Sequence, residues 1–353
     1  MTPALRLSAT GFALIAVCYG FTRFAFGLFL PEISADLALS PTLGGFIAGG
    51  SFLGYCVAII ASAYLTERFG PRLVAGAAGL VAAAGLAAIA MATSAPVLAA
   101  AVLFAGVSTG LVSPPLAAAV SVAVRRERQD ATNTFINAGT SAGVALSGPV
   151  ALLLGAEWRL AFALFATASL AVAIAAFVFI PRDFTPQGGK DRAVGPGSVQ
   201  KPSADLVRLI IAAFLMGVAS TAIWSFGGEL TTRSLDWTGR QTGLLWIVIG
   251  SAGVFGGLAG TLVARFGVNT THFFSLLALA FGIVCIGWSG TTPILAFFGA
   301  ALFGAAYILL TGVYLVWGVS TMPKQPARLL GFSFCRALAG QPRQASTAAA
   351  SPP

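Results

Sequence analysis

Polar residues are sparse along this chain and fall in short clusters, so the pattern is one of long apolar runs broken by brief charged or turn-forming segments. A bilayer core is crossed by roughly 20 apolar residues in a helix. Ten runs meet that length, at about 9–31, 43–65, 72–93, 97–123, 134–155, 159–180, 206–228, 242–264, 270–289 and 293–318. Glycine recurs inside them, as membrane helices tolerate better than soluble ones. The pattern predicts an all-α, polytopic protein whose first partner is the lipid bilayer.

The runs also repeat. Ala63-Tyr64-Leu65-Thr66-Glu67-Arg68-Phe69-Gly70 recurs 197 positions later as Gly260-Thr261-Leu262-Val263-Ala264-Arg265-Phe266-Gly267. The same shift pairs Gly20 with Gly217, Glu32 with Glu229, and Pro96-Val97-Leu98-Ala99 with Pro293-Ile294-Leu295-Ala296. Two like halves in a membrane point to a transporter that rocks around a central site. The boundaries that follow are 1–180 for a six-helix half, 181–205 for a solvated connector rich in Pro, Gly and charge, 206–328 for four helices of a second half, and 329–353 for a tail. Two further helices are expected after 328. Residues 327–334 open like an eleventh helix, then give way to Ala/Ser/Pro-rich sequence. That is the composition of a truncated or frame-shifted reading, the alternative being a ten-helix form with a disordered tail.

Composition sharpens this. With 57% hydrophobic and 9% charged residues the chain is no soluble domain. Its net charge of +9 would suggest nucleic acid in a soluble protein. Here the basic residues gather in alternate loops: Arg68 and Arg72; Arg125, Arg126 and Arg128; the 182–208 region; Arg265; Lys324 and Arg328. The opposite loops hold only Arg159, Arg233 and Arg240. This asymmetry places the N-terminus in the cytoplasm and removes nucleic acid as a partner. The four cysteines lack metal or redox spacing, and His272 is the one histidine, so no cofactor or metal is expected.

The repeated segment carries a resemblance. Ala63, Leu65, Glu67, Arg68, Gly70, Pro71 and Arg72, with Gly260, Leu262, Arg265 and Gly267, resemble the loop signature Gly-x-Leu-x-Asp-Arg-x-Gly-Arg-Arg of the major facilitator superfamily. The first copy departs at its first Gly and at Pro71, and the second has Ala264 in place of the acid. Helix 1, Tyr19-Gly20-Phe21-Thr22-Arg23-Phe24 through Leu30-Pro31, is similar to the cyanate-permease-like and YbfB-like bacterial branches. The resemblance implies a helical bundle of two pseudo-symmetric halves, with twelve helices expected where six plus four are seen. It also implies a latch in which Glu67 pairs with Arg68, with Arg72 and Arg265 in the same gating loops. Gly148-Pro149 in helix 5 is a loose likeness to an exporter motif, and Pro149 removes one helical hydrogen bond and permits a bend. Val102 stands where drug exporters carry a membrane Arg, against that branch.

Arg23 is the chief candidate for chemistry. A cation within an apolar helix costs several kcal/mol, by common estimates, unless it meets water or a partner. All eleven acids lie in loops or near helix ends. A lone guanidinium suits an anionic substrate, because its planar fork grips a carboxylate; the alternative is an Arg that snorkels or ties down carbonyls. Helical spacing puts Tyr19, Phe26, Gly27 and Leu30 near its face, and Trp224, Ser225, Tyr307 and Tyr314 are expected to complete a substrate site. Glu32 and Glu229 read either as an outer gate or proton relay, or as solvated helix-end carboxylates. Trp237 and Trp288 read as interfacial anchors.

The leading expectation is a secondary transporter of a small organic solute, an organic anion by preference, in a bacterial inner membrane. A proton or another ion is left open as the coupling partner. The alternatives are a non-transporting truncated remnant and a drug or metabolite exporter. An enzyme is not expected, since acids, histidines and metal ligands do not cluster at membrane depth. No phosphate loop is present, because Gly189-Lys190 runs into Asp191.

Overall fold

The computed structural model describes residues 2–182 and 204–321. The expected connector, apart from two residues at each end, and the whole tail with the start of an eleventh helix lie outside the described residues. Ten helices there are long and apolar enough to cross a membrane. They are α1 (Pro3–Asp36), α2 (Pro41–Phe69), α3 (Pro71–Ala90), α4 (Ala95–Ala123), α5 (Arg126–Leu154), α6 (Trp158–Phe179), α7 (Ala204–Leu235), α8 (Gly239–Phe266), α9 (Val268–Gly287) and α10 (Pro293–Gly318). Every expected span is present, and the ends differ because apolarity marks the bilayer crossing while capping marks the helix. α1 begins at Pro3 rather than near 9, behind a Thr2 side chain that accepts from the Leu5 N–H. Similarly, α5 begins at Arg126, so a charged first segment precedes its apolar run.

The sequence repeat is also a repeat of backbone. Gly70 (φ 82°, ψ 160°) and Gly267 (φ 81°, ψ 161°) adopt the same left-handed conformation, each closing one helix and opening the next. Their N–H groups bond back 2.9 Å to Thr66 and Val263 carbonyls. Only glycine takes this φ without strain, which is why both copies keep it.

In the first group, α2 and α3 pack along α4, and α3 along α6; in the second, α10 packs along α8 and α9. The groups meet where α1 packs on α7 and α5 on α8. Lipid supplies no hydrophobic drive between helices, so these contacts depend on close backbone approach. A Cβ on Gly20 would sit 2.4 Å from the Gly143 Cα, one on Gly148 2.4 Å from the Gly243 carbonyl, and one on Gly27 1.9 Å from the Trp224 carbonyl. Other glycines divide accordingly: Gly139, Gly143 and Gly54 are packing positions, while Gly49 and Gly260 have no neighbour within 4 Å among the described residues. Buried hydroxyls spend themselves on carbonyls, as Ser62 does across to Leu111 and Ser147 within its own turn to Val144. A polar group without such a partner is costly at membrane depth.

Among the described residues, the repeat reveals a face of α2 left uncovered. On α8, Gly243, Ile247, Gly250 and Gly253 face α5. Their counterparts 197 positions earlier are Phe46, Gly50, Leu53 and Cys56 on α2. Of these, Phe46, Gly50 and Leu53 line an open apolar groove with Leu103 of α4 and Phe226 of α7. By the repeat, the counterpart of α5 falls among residues outside those described.

Candidate functional site

Midway along α1 the backbone departs from α-geometry: Ala16–Phe24 is a π-helical stretch, and the Ala25 N–H that closes it bonds to the Gly20 carbonyl. The sequence reading assumed α-helical spacing here, and the structure corrects it. The cause is local. The Cys18 carbonyl accepts the Thr109 hydroxyl at 2.8 Å and the Thr22 hydroxyl as well, which competes with the regular ladder. Gly20 meanwhile presses bare backbone against α5. Single-turn π segments recur at functional sites, and this longer one carries Tyr19 and Arg23.

Arg23 lies half-buried among rings. Its guanidinium carbon stands 4.1 Å from the centroid of Phe52, 4.8 Å from that of Tyr55 and 5.5 Å from that of Phe24. The three ion pairs among the described residues all lie elsewhere, at Asp36–Arg159, Asp205–Arg208 and Glu229–Arg233. The Nε of Arg23 is buried without an acceptor among the described residues. A cation–π contact returns about 0.5–2 kcal/mol, less than the several kcal/mol that a membrane-buried charge costs. The rings shelter the cation and leave its demand for acceptors unmet.

Tyr19 stands one side of it, its hydroxyl 3.1 Å from that of Ser113. Opposite is a second aromatic group. Trp224 lies 4.0 Å from Phe24 and 5.1 Å from both Phe303 and Tyr307, centroid to centroid, and Tyr307 meets Phe24 edge-on at 6.0 Å. The Trp224 indole N–H is buried near the Tyr307 hydroxyl without a hydrogen bond of good geometry. Tyr19, Tyr55 and Tyr307 are all within electrostatic reach of Arg23. Arg23, Tyr19, Phe52, Tyr55 and Tyr307 are half-buried, whereas Phe24, Trp224 and Phe303 are buried behind them.

Gly27 and Trp224 are repeat counterparts, 197 positions apart, and they touch. The pseudo-two-fold axis therefore passes beside the site. Around it the two repeats exchange bulk: Trp246, Phe303 and Tyr307 correspond to Gly49, Gly106 and Gly110, and Arg23 to Ser220. Trp246 donates its indole N–H to the Phe24 carbonyl at 3.2 Å, joining α8 to α1 at the edge of the π-helical stretch. Trp246→Phe removes that bond between the helix groups and should cost about 0.5–1.5 kcal/mol, measured as a lower unfolding midpoint of the purified protein. An unchanged midpoint would show the bond to be dispensable.

The remaining expected residues are dispersed. Ser225 is buried against Gly27. Tyr314 stands apart from the rings: its hydroxyl donates to the Ala212 carbonyl at 3.2 Å and lies 3.1 Å from His272 Nε2, tying α10 to α7 and α9. Glu67 and Arg68 do not pair. Arg68 donates to the Tyr64 hydroxyl at 3.2 Å instead, since adjacent helical residues point in different directions. Arg72 donates to the carbonyls of Ile180 and Val178, fastening α3 to the end of α6. Arg265 rests over Phe266. Gly148 makes the α5–α8 contact, but the helix runs unbroken through Pro149 and is interrupted at Ala138.

Glu32 and Glu229 are equivalent in sequence and unlike in structure. Glu229 pairs with Arg233 at 2.5 Å on its own helix. Glu32 reaches across to α8, where its Oε1 lies 2.6 Å from where a Cβ on Gly239 would stand, and its Oε2 is buried without a partner. Glu32 is thus half-buried at this junction, unlike the free helix-end carboxylate of the solvated alternative. Close contacts between the helix groups, among them Gly253–Ser141, Gly250–Ala145, Gly27–Trp224, Gly148–Gly243 and Glu32–Gly239, run from mid-depth toward this acidic end. Toward the basic end of α8, Gly257 and Gly260 have no neighbour beside them among the described residues.

Sequence reasoning missed Phe52, Tyr55, Ser113, Phe303 and Trp246. The only signal for them was helical spacing, three apart for Phe52 and Tyr55 and four apart for Phe303 and Tyr307, which any packing pair would also show.

A helical bundle in which pseudo-symmetric elements cross at mid-membrane around a polar centre is the architecture of a secondary transporter. The model of the Major Facilitator Superfamily matches residues 12–340, and the chain belongs to that family. Comparison with curated proteins gives no match. Among solved structures, the chain is similar to a bacterial homologue of the human lysosomal transporter Spinster in an inward-facing, unoccupied conformation. The TM-score is 0.70 at 15% identity, over 94% of this chain and 77% of that one. It is also similar to the xylose transporter XylE of E. coli in a partially occluded inward-open conformation, at TM-score 0.67 and 14% identity, over 94% and 88% of the chains. A D-xylose–proton symporter matches at 0.61 and 15%. These likenesses establish the fold, a multi-pass transporter bundle; at such identities they say nothing of cargo.

Proposed function

We propose that the chain is a secondary transporter carrying a small organic anion across the bacterial inner membrane by alternating access, with Arg23 as the anchor for the anion. The observation that carries this reading is a guanidinium at the junction of the two helix groups, ringed by aromatics and lacking an acceptor among the described residues. A carboxylate supplies what it lacks. Tyr19, Tyr55 and Tyr307 provide hydroxyls around the anchor. The contacts gathered at the acidic end fit a state open toward the basic end, and the basic loops fit a cytoplasmic face. The resemblances to structures described as inward-facing support the same reading.

Glu32 is the gate residue in this account. Its carboxylate rests on the first turn of α8 across the junction, where a negative charge is favoured by about 0.3–2 kcal/mol. Glu32→Gln should loosen that closure and make the acidic end about two- to thirtyfold more accessible to a membrane-impermeant thiol reagent acting on a cysteine introduced there. Unchanged labelling would remove Glu32 from the gate. The function itself is tested in proteoliposomes containing the full chain, as uptake of radiolabelled organic anions with xylose as the neutral control. Uptake of xylose but of no anion would overturn the reading.

A further inference from the structure

The side chains around Arg23 also carry information about which anions the site accepts, an inference that rests on the anion reading above. The first consideration is charge. One guanidinium stands among Phe24, Phe52 and Tyr55, and the ion pairs of the described residues all lie elsewhere. A monoanion neutralises it, whereas a dianion would carry one uncompensated charge into a desolvated site.

The second is the wall. Phe24, Trp224, Phe303 and Tyr307 form one continuous group of offset and edge-to-face rings, with Tyr307 at its accessible margin and in electrostatic reach of Arg23. Such a group is extended most favourably by another flat ring.

We infer that the site selects monocarboxylates bearing a flat aromatic ring, with benzoate as the simplest example. The carboxylate meets the N–H groups of Arg23 and the ring lies against Tyr307 and the group behind it. Tyr307 acts here as a specificity residue. It sets the preference for the ring and leaves the grip on the carboxylate to Arg23.

The test is equilibrium dialysis of the purified full-length protein against radiolabelled benzoate, with acetate, succinate, benzyl alcohol and xylose as competitors. The expected result is benzoate binding about tenfold or more tighter than acetate, the effect of one or two ring contacts. Succinate, benzyl alcohol and xylose compete more weakly than benzoate. Tyr307→Leu should narrow the benzoate-to-acetate ratio toward one. If acetate competes as well as benzoate, or succinate competes better, the aromatic monocarboxylate proposal fails while the anion reading stands. If benzyl alcohol competes as well as benzoate, or none of the three carboxylates binds, the anion reading fails and takes this proposal with it.

Discussion

Arg23→Ala should abolish anion uptake while leaving the protein inserted and folded. Truncating one member of a desolvated charged pair costs about 2–5 kcal/mol, which is roughly a thirtyfold to several-thousandfold loss of affinity. Insertion should not suffer, because a central Arg opposes insertion by about 2.5–3.5 kcal/mol on the translocon scale and Ala does not. Arg23→Lys separates charge from geometry. The ammonium keeps the charge but lacks the planar fork that accepts a carboxylate while resting against Phe52 and Tyr55. It should retain weak transport, between alanine and the wild type. Uptake normalised to the amount of protein in the membrane checks both variants, and Arg23→Ala uptake within twofold of wild type would refute the anchor.

The second large effect concerns the closed end. Gly27→Val places a branched side chain where a Cβ alone would meet the Trp224 carbonyl at 1.9 Å. Neither backbone can yield without moving α1 from α7, so the contact must open. Overpacking of this kind costs about 1–3 kcal/mol, charged almost entirely to the conformation in which the two helices touch. A population shift of about five- to 150-fold away from that conformation follows. Ser225, buried beside this contact, is the reporter position. A cysteine there, in a background without native cysteines, should react slowly with an impermeant thiol reagent and at least several-fold faster once Gly27→Val is added. Equal rates would show that the α1–α7 contact does not control access.

The fold was legible because membrane helices declare themselves by length and apolarity, and because duplication left matched glycines at Gly70 and Gly267. Arg23 stood out for a related reason: a charge is conspicuous in an apolar run. Its surroundings were not legible. Phe52 and Tyr55 come from α2, and Tyr307 from α10, so they reach Arg23 only through helix rotation, which apolar composition does not set. The π-helical stretch shifts that rotation further and depends on Thr109 reaching Cys18 from another helix. Trp237 shows the same limit. Its place near a helix end suggested an interfacial anchor, yet it is buried against Phe297 at 5.1 Å, while Trp288 is exposed as expected. Glu32 and Glu229 share a repeat position, and only the packing separates a carboxylate paired with Arg233 from one held across the junction.

Solute counterflow in proteoliposomes tests the central claim most directly, because it requires a carrier that binds, turns and releases with no imposed energy source. Vesicles loaded with unlabelled benzoate and diluted into trace labelled benzoate should show a transient overshoot of label above its equilibrium level. Arg23→Ala vesicles should show none. A monotonic rise to equilibrium identical to that of protein-free vesicles, for benzoate and for every other organic anion in the panel, would contradict alternating access around an Arg23 anion site.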